Sequence, residues 1–142
     1  MGRQPPGGPA GELGALPPHF ERERRLLQQQ GVISWGALAA LEEASLRRLG
    51  RAGLASEARL IRLRAQARLV CQLQLQPVEA ALLLHAGIAE VRALAEADPQ
   101  RLWLQVGRLQ RRLTGLEVAP PSLATLRDWI GRARTHSSRP GN

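Results

Sequence analysis

Residues that favour β-strands are scarce in this chain, which contains no Tyr, one Phe and three Trp. It contains 25 Leu and 20 Arg, and these join Ala, Gln and Glu as strong helix formers. A chain of 142 residues is long enough to bury an ordinary core without a disulfide or a metal ion. We therefore predict an all-α fold.

Side chains that can cap a helix N-terminus precede several apolar stretches. Ser34 and Ser56 can accept hydrogen bonds from the first backbone N–H groups of the helices that follow them. Asp98 can do the same, with Pro99 in the first turn, and Ser122 opens the last predicted helix. Gly residues that suit a left-handed C-cap end two helices. The predicted helices are 20–30, 35–41, 43–50, 57–73, 77–86, 89–97, 99–113 and 123–135.

A weak internal repeat relates residues 26–46 to residues 82–102 with a constant offset of 56. It pairs Gly31 with Gly87 and Leu46 with Leu102, and the order of helix and turn is the same in both copies, which favours duplication over chance. We predict one compact domain with flexible ends. Its parts are modules 13–54 and 74–115, a linker helix 57–73, a C-terminal helix 123–135, a disordered arm 1–12 and a disordered tail 136–142.

The predicted linker helix carries apolar residues on two opposite faces. Leu60 and Leu63 begin one stripe, and Ile61 and Leu69 lie on the other. A helix that is apolar on two faces is expected to pack between two partners, with its arginines at the edges.

The formal net charge of +8 indicates an anionic partner. The first hypothesis is a binder of nucleic-acid backbone, either DNA or structured RNA, without sequence preference. Because no aromatic residues alternate with the arginines, duplex or structured RNA is favoured over a single strand. The alternative without a binding role is that these arginines lie on solvated helix faces. A GC-rich genome would also favour Arg over Lys. The candidate contacts are Arg59, Arg62, Arg64, Arg68, Arg108, Arg111 and Arg112.

The stretch LLLHAGIAEVRALAEADPQRL, followed by PSLATLRDWIGRAR, resembles an uncharacterised bacterial family of tandem helix-hairpin-helix domains. The Leu-x-x-x-Gly-Ile turn within it is similar to the helix-hairpin-helix modules of DNA repair and recombination proteins. The resemblance covers about residues 16–135. It implies an all-helical fold and, by analogy, contact with nucleic-acid backbone.

In such modules the hairpin turn usually reads Gly-apolar-Gly, so that several backbone N–H groups can approach a phosphate. Neither matching turn in this chain keeps both glycines, and the proline in the first has no N–H to donate. Gln side chains in the second can still donate to phosphate. The matching turns are Ala15-Leu16-Pro17 and Gln74-Leu75-Gln76.

The second hypothesis is a protein-interaction or assembly module that has kept helix packing and lost the phosphate-binding turns. Trp103 is its candidate anchor, because Trp is enriched at binding hot spots. The alternative for Trp103 is burial against a neighbouring module.

An enzyme is the least favoured class. The chain has no Lys, and its His, Cys and acidic residues lack metal-ligand spacing. Nucleophile, phosphate-loop and dinucleotide motifs are absent from the sequence. We expect no catalysis, no cofactor, no metal, no small-molecule substrate and no membrane partner. The single Cys71 and the lack of a signal peptide favour a cytoplasmic location.

Overall fold

The computed structural model describes residues 12–13, 20–51, 55–113 and 120–137, without the side chains of 111–113. These residues form eight helices and no strand, which confirms the predicted all-α class. The helices are α1 (Glu21–Gln29), α2 (Trp35–Ala39), α3 (Glu43–Arg51), α4 (Glu57–Leu73), α5 (Pro77–His85), α6 (Val91–Ala95), α7 (Pro99–Leu113) and α8 (Leu123–Ser137).

The chain divides into two compact units, one ending at Pro77 and the other beginning at Val78. In the first unit, α2 and α3 pack against α4. In the second unit, α6 and α7 pack against α8 in the same way. The segment expected to be a linker is thus the packing partner of α2 and α3. That the two repeats share one compact domain stays a prediction.

The offset of 56 residues recurs in the starts of the helices. Helices α1, α2 and α3 begin at residues 21, 35 and 43, and α5, α6 and α7 begin at residues 77, 91 and 99. Helix α4 follows in the first unit and α8 in the second. Both are capped by a serine: Ser56 Oγ accepts from the backbone N–H of Arg59, and Ser122 Oγ accepts from that of Thr125. Each unit is therefore a four-helix repeat.

Local capping chemistry decides most of the other helix ends. Ser34 Oγ accepts from the N–H of Ala37 at 3.1 Å, and Asp98 Oδ2 accepts from that of Arg101 at 2.9 Å, as predicted. Gly31 and Gly87 follow α1 and α5 with φ of +79° and +88°. These left-handed conformations confirm the two predicted C-caps.

Six helices end at residues other than those predicted, and three of these, α1, α3 and α5, differ at that end by a single residue. Helix α2 stops at Ala39 instead of 41, and α6 covers only Val91–Ala95 of the predicted 89–97. In both cases the carbonyl oxygen of the last helical residue, Ala39 or Ala95, accepts a hydrogen bond from an arginine of the fourth helix. Helix α8 continues to Ser137, two residues into the predicted tail, because no Gly or Pro stands between position 135 and Pro140.

The core of the first unit lies along one stripe of α4. Leu60, Leu63, Ala67 and Val70 are fully buried, as the first predicted stripe requires. The second predicted stripe is buried at Leu69, but Ile61 is 39% exposed. The two-faced character of α4 is therefore confined to its C-terminal half.

The start of the described chain pairs with the turn before α2. The Leu13 N–H donates to the Ile33 carbonyl at 2.9 Å, and Glu12 forms a β-bridge with Ser34. Leu13 is buried. Glu12, placed in the predicted arm, therefore has a backbone partner, while residues 1–11 lie outside the described part of the chain.

Substitution of Gly31 or Gly87 by Ala tests the two C-caps. An added Cβ would meet no atom within 4 Å at either position, so the cost comes from the left-handed backbone alone. We expect each variant to lose about 1–2 kcal/mol of unfolding free energy in urea titrations. Gly131, which lies within α8 and also has open space around it, is the matched control, and Gly131→Ala should stabilise by up to about 1 kcal/mol. Equal effects at all three positions would contradict this account of the caps.

Candidate nucleic-acid interface

Two of the predicted phosphate contacts on α4 are engaged within the first unit. Arg64 is 6% exposed; it donates to the Leu41 carbonyl at 3.1 Å and pairs with the Glu43 carboxylate. Arg68 donates through Nε to the Ala39 carbonyl at 3.3 Å. Both arginines thus bind carbonyl groups at and just beyond the C-terminus of α2, where the helix dipole favours a cation.

The second unit repeats this contact. Arg134 of α8 donates through Nε to the Ala95 carbonyl at 3.1 Å. Ala95 follows Ala39 by the repeat offset of 56, and Arg134 occupies in α8 the place that Arg68 occupies in α4. We name this pair of contacts, Arg68 to Ala39 and Arg134 to Ala95, the arginine latch.

The N-terminal arginines of α4 also have neighbours within the first unit. Arg59 Nη1 lies 3.8 Å from the buried Glu23 Oε1, while Glu23 Oε2 accepts from the Ser56 N–H at 3.1 Å. Arg62 is half-buried and has interactions of its own. The α4 arginines are therefore largely a structural set.

The third helix of the first unit presents arginines that are not engaged in this way. Helix α3 buries Leu46 and Leu49 and exposes Arg47, Arg48 and Arg51 on its other side. Among the described residues, Arg48 and Arg51 have no ion-pair partner. Arg47 adds a weaker attraction to Glu43. This face is open to an external anion.

The third helix of the second unit is basic as well. Helix α7 contains four arginines and no acid among its 15 residues. Arg101 and Arg108 are exposed, and neither has an ion-pair partner among the described residues. Arg111 and Arg112 belong to the same helix, and their side chains lie outside the described part. Of the seven arginines predicted from the sequence, Arg59, Arg68 and Arg108 are exposed. Arg59 and Arg68 have partners within the first unit, whereas Arg108 has no ion-pair partner among the described residues.

The turn between α4 and α5 does not offer a row of free N–H groups. Gln74 adopts the left-handed conformation with φ of +55°, and the N–H groups of Gln74 and Leu75 both donate to the Val70 carbonyl. Leu75 is 1% exposed, Gln76 is exposed, and Pro77 has no N–H. The backbone of this turn cannot cradle a phosphate as a Gly-apolar-Gly hairpin does. The other matching turn, Ala15-Leu16-Pro17, lies outside the described residues.

Several other features bear on chemistry. Trp103, the candidate protein anchor, is 39% exposed on α7. Burial raises the pKa of the Cys71 thiol, which disfavours the thiolate form. No three His, Cys, Asp or Glu residues in the described ranges come together as a metal site. The described helices include none that is long and apolar enough to cross a membrane.

The α3 arginines are the positions that the predicted contact set omitted. Arg47, Arg48 and Arg51 fall in the same arginine-rich stretch as the α4 residues, so charge density could not rank one set above the other. The internal repeat could have indicated the α3 arginines, because α3 corresponds to α7, which has arginines and no acidic residue.

A model of the family described as Domain of unknown function (DUF4332) matches residues 17–136. This confirms the expected membership of an uncharacterised family. No curated protein and no solved structure matches the chain.

Substitution of the arginine latch should lower stability in each unit. Arg68→Gln and Arg134→Gln each remove a charge-assisted bond to a helix C-terminus, and we expect a loss of about 1–2 kcal/mol in the free energy of unfolding. Arg48→Gln and Arg127→Gln, which remove the same charge from exposed positions, should change it by less than about 0.5 kcal/mol. Urea titrations of the four variants make the comparison. Latch variants as stable as the controls would contradict a structural role.

The pair between Arg64 and Glu43 predicts a pH dependence. The hydrogen bond and charge of Arg64 lower the pKa of the Glu43 carboxyl, with smaller contributions from Arg47 and Arg68, against an opposing effect of desolvation. A carboxyl with a lowered pKa in the folded state stabilises the fold above its ordinary pKa, about 4.3, and loses that contribution as the pH falls through the lowered value. The stability difference between the wild type and Glu43→Gln should therefore shrink on acidification. A difference that is independent of pH would contradict the pairing.

Proposed function

We propose a function for this chain, which belongs to the DUF4332 family: the third helix of each unit binds the phosphate backbone of nucleic acids without sequence preference. The observation that carries the proposal is that the third helix of each unit groups exposed arginines without ion-pair partners among the described residues, Arg48 and Arg51 on α3 and Arg101 and Arg108 on α7. The other helices offer at most one such arginine each, Arg22 on α1 and Arg127 on α8. The net charge of +8 and the resemblance to helix-hairpin-helix modules support the same class of partner.

The proposed mode of contact differs from that of a helix-hairpin-helix turn. Since the N–H groups of Gln74 and Leu75 are bonded to Val70, binding depends on guanidinium groups and not on the backbone of the hairpin. Guanidinium groups give phosphate planar, bidentate hydrogen bonds. Such contacts fix the position of a nucleic acid but do not read bases, so we expect duplexes of different sequence to bind equally.

The proposal gives the chain a binding role and no catalytic one. The cationic side chains on α3 and α7 have no nucleophile or general base among their described partners. A protein that coats or positions nucleic acid needs neither.

Salt dependence tests the proposal. Binding of a labelled duplex to the full chain is followed by fluorescence anisotropy between about 50 and about 200 mM salt, where each phosphate contact contributes about 0.9 to the slope of log K against log salt. Arg48→Gln/Arg51→Gln should reduce the magnitude of this slope by about 1.8, and Arg101→Gln/Arg108→Gln by a similar amount.

The matched control is Arg22→Gln/Arg127→Gln, which removes two exposed charges from α1 and α8. Its slope should stay that of the wild type. If the control and the two α3 and α7 variants lose the same slope, the binding follows net charge and the assigned helices are wrong. If no salt-sensitive binding is found at low salt, the proposed function is wrong.

A further inference from the structure

An apolar patch interrupts the basic surface of α7. Trp103 is 39% exposed and Leu104 is 54% exposed, whereas the other two tryptophans, Trp35 and Trp129, are 1% and 2% exposed. Exposure of a large aromatic side chain next to a Leu is unfavourable in water and is typical of a contact surface. Packing within the second unit does not account for these two side chains.

The corresponding positions of the first unit have the opposite chemistry. Residues 56 positions before Trp103, Leu104 and Gly107 are Arg47, Arg48 and Arg51. Both sets lie on the third helix of a unit, and that helix packs against the fourth helix in each case. One surface of the repeat is therefore cationic in the first unit and apolar in the second.

The surroundings of the patch favour an anionic occupant with flat apolar groups. Arg101 and Arg108 lie three residues before and four residues after Leu104, and so on the same side of the helix. Helix α7 has no acid that would repel a polyanion. Gly107, one turn after Trp103, has open space around it: an added Cβ would meet no atom within 4 Å. A planar ring can therefore approach the indole face.

We infer that Trp103 and Leu104 receive an unpaired nucleobase, while Arg101 and Arg108 hold the phosphates beside it. The inference rests on the proposed function and adds a substrate class, nucleic acid that contains a single-stranded segment. Bases stack on aromatic side chains irrespective of sequence. The first unit holds backbone through Arg47, Arg48 and Arg51, and the second unit adds the stacking surface. The two surfaces therefore suit different parts of a nucleic acid, duplex backbone in the first unit and unpaired nucleotides in the second.

Tryptophan fluorescence of the full chain tests this inference directly. Trp103 is the exposed tryptophan, so an added oligothymidine strand should quench its emission, and a duplex with blunt ends should quench it far less. Trp103→Leu should abolish the quenching and weaken binding of the strand by about 5- to 150-fold, the range for one stacked base. Binding of the duplex should be unchanged, and Trp103→Phe should restore part of the affinity for the strand.

Trp103→Arg is a second variant for the same test. It places at this position the residue that the first unit has there, Arg47. It should weaken binding of the strand and steepen the salt slope for the duplex by about 0.9. If both variants leave binding of the strand unchanged while salt-sensitive duplex binding persists, the inference is wrong and the proposed function stands. If neither nucleic acid binds, the proposed function itself is wrong. Emission that shifts with anionic vesicles or an acidic peptide, but not with the strand, would overturn the inference in favour of that other partner.

Discussion

The fold of each unit depends on an arginine of the fourth helix that binds the carbonyl end of the second. Helices α2 and α6 have only five residues each and could not hold their shape alone. Arg68 donates to Ala39 and Arg134 donates to Ala95, so the free carbonyl groups at each C-terminus have a cationic partner. Because the contact recurs in both units, we regard it as the interaction that defines the repeat.

The same contact decides which part of the positive charge can reach a partner. Arg64 and Arg68 stabilise the first unit, and Arg134 stabilises the second. The arginines of the third helices have no such role among the described contacts, and they are grouped on one helix of each unit where they are open to phosphate. A basic chain is therefore not uniformly a binding surface, and the fold separates structural guanidinium groups from those available to a partner.

Much of the fold follows from chemistry that is local in the sequence. A cap such as Ser34 or Asp98 acts on N–H groups within three residues, and Gly31 needs only its own backbone freedom, so these helix ends could be predicted. The candidate site could not be predicted equally well. Whether Arg68 is structural depends on Ala39, 29 residues away, and the partner of Arg134 is 39 residues away. Periodicity within a helix carries no information on such contacts.

The internal repeat is a better guide to the candidate site than the density of arginines along the sequence. Aligning α3 with α7 brings Arg47, Arg48 and Arg51 opposite Trp103, Leu104 and Gly107, which identifies one surface with two chemistries. Alignment of Ser56 with Ser122 brings Arg68 opposite Arg134 and identifies the latch.

The separation of structural from binding arginines can be measured most directly by nuclear magnetic resonance of the guanidinium Nε–H groups during titration with a duplex. We expect the Arg68 and Arg134 signals to stay in place while those of Arg48 and Arg51 shift. Shifts at Arg68 and Arg134 with none at Arg48 and Arg51 would contradict the account.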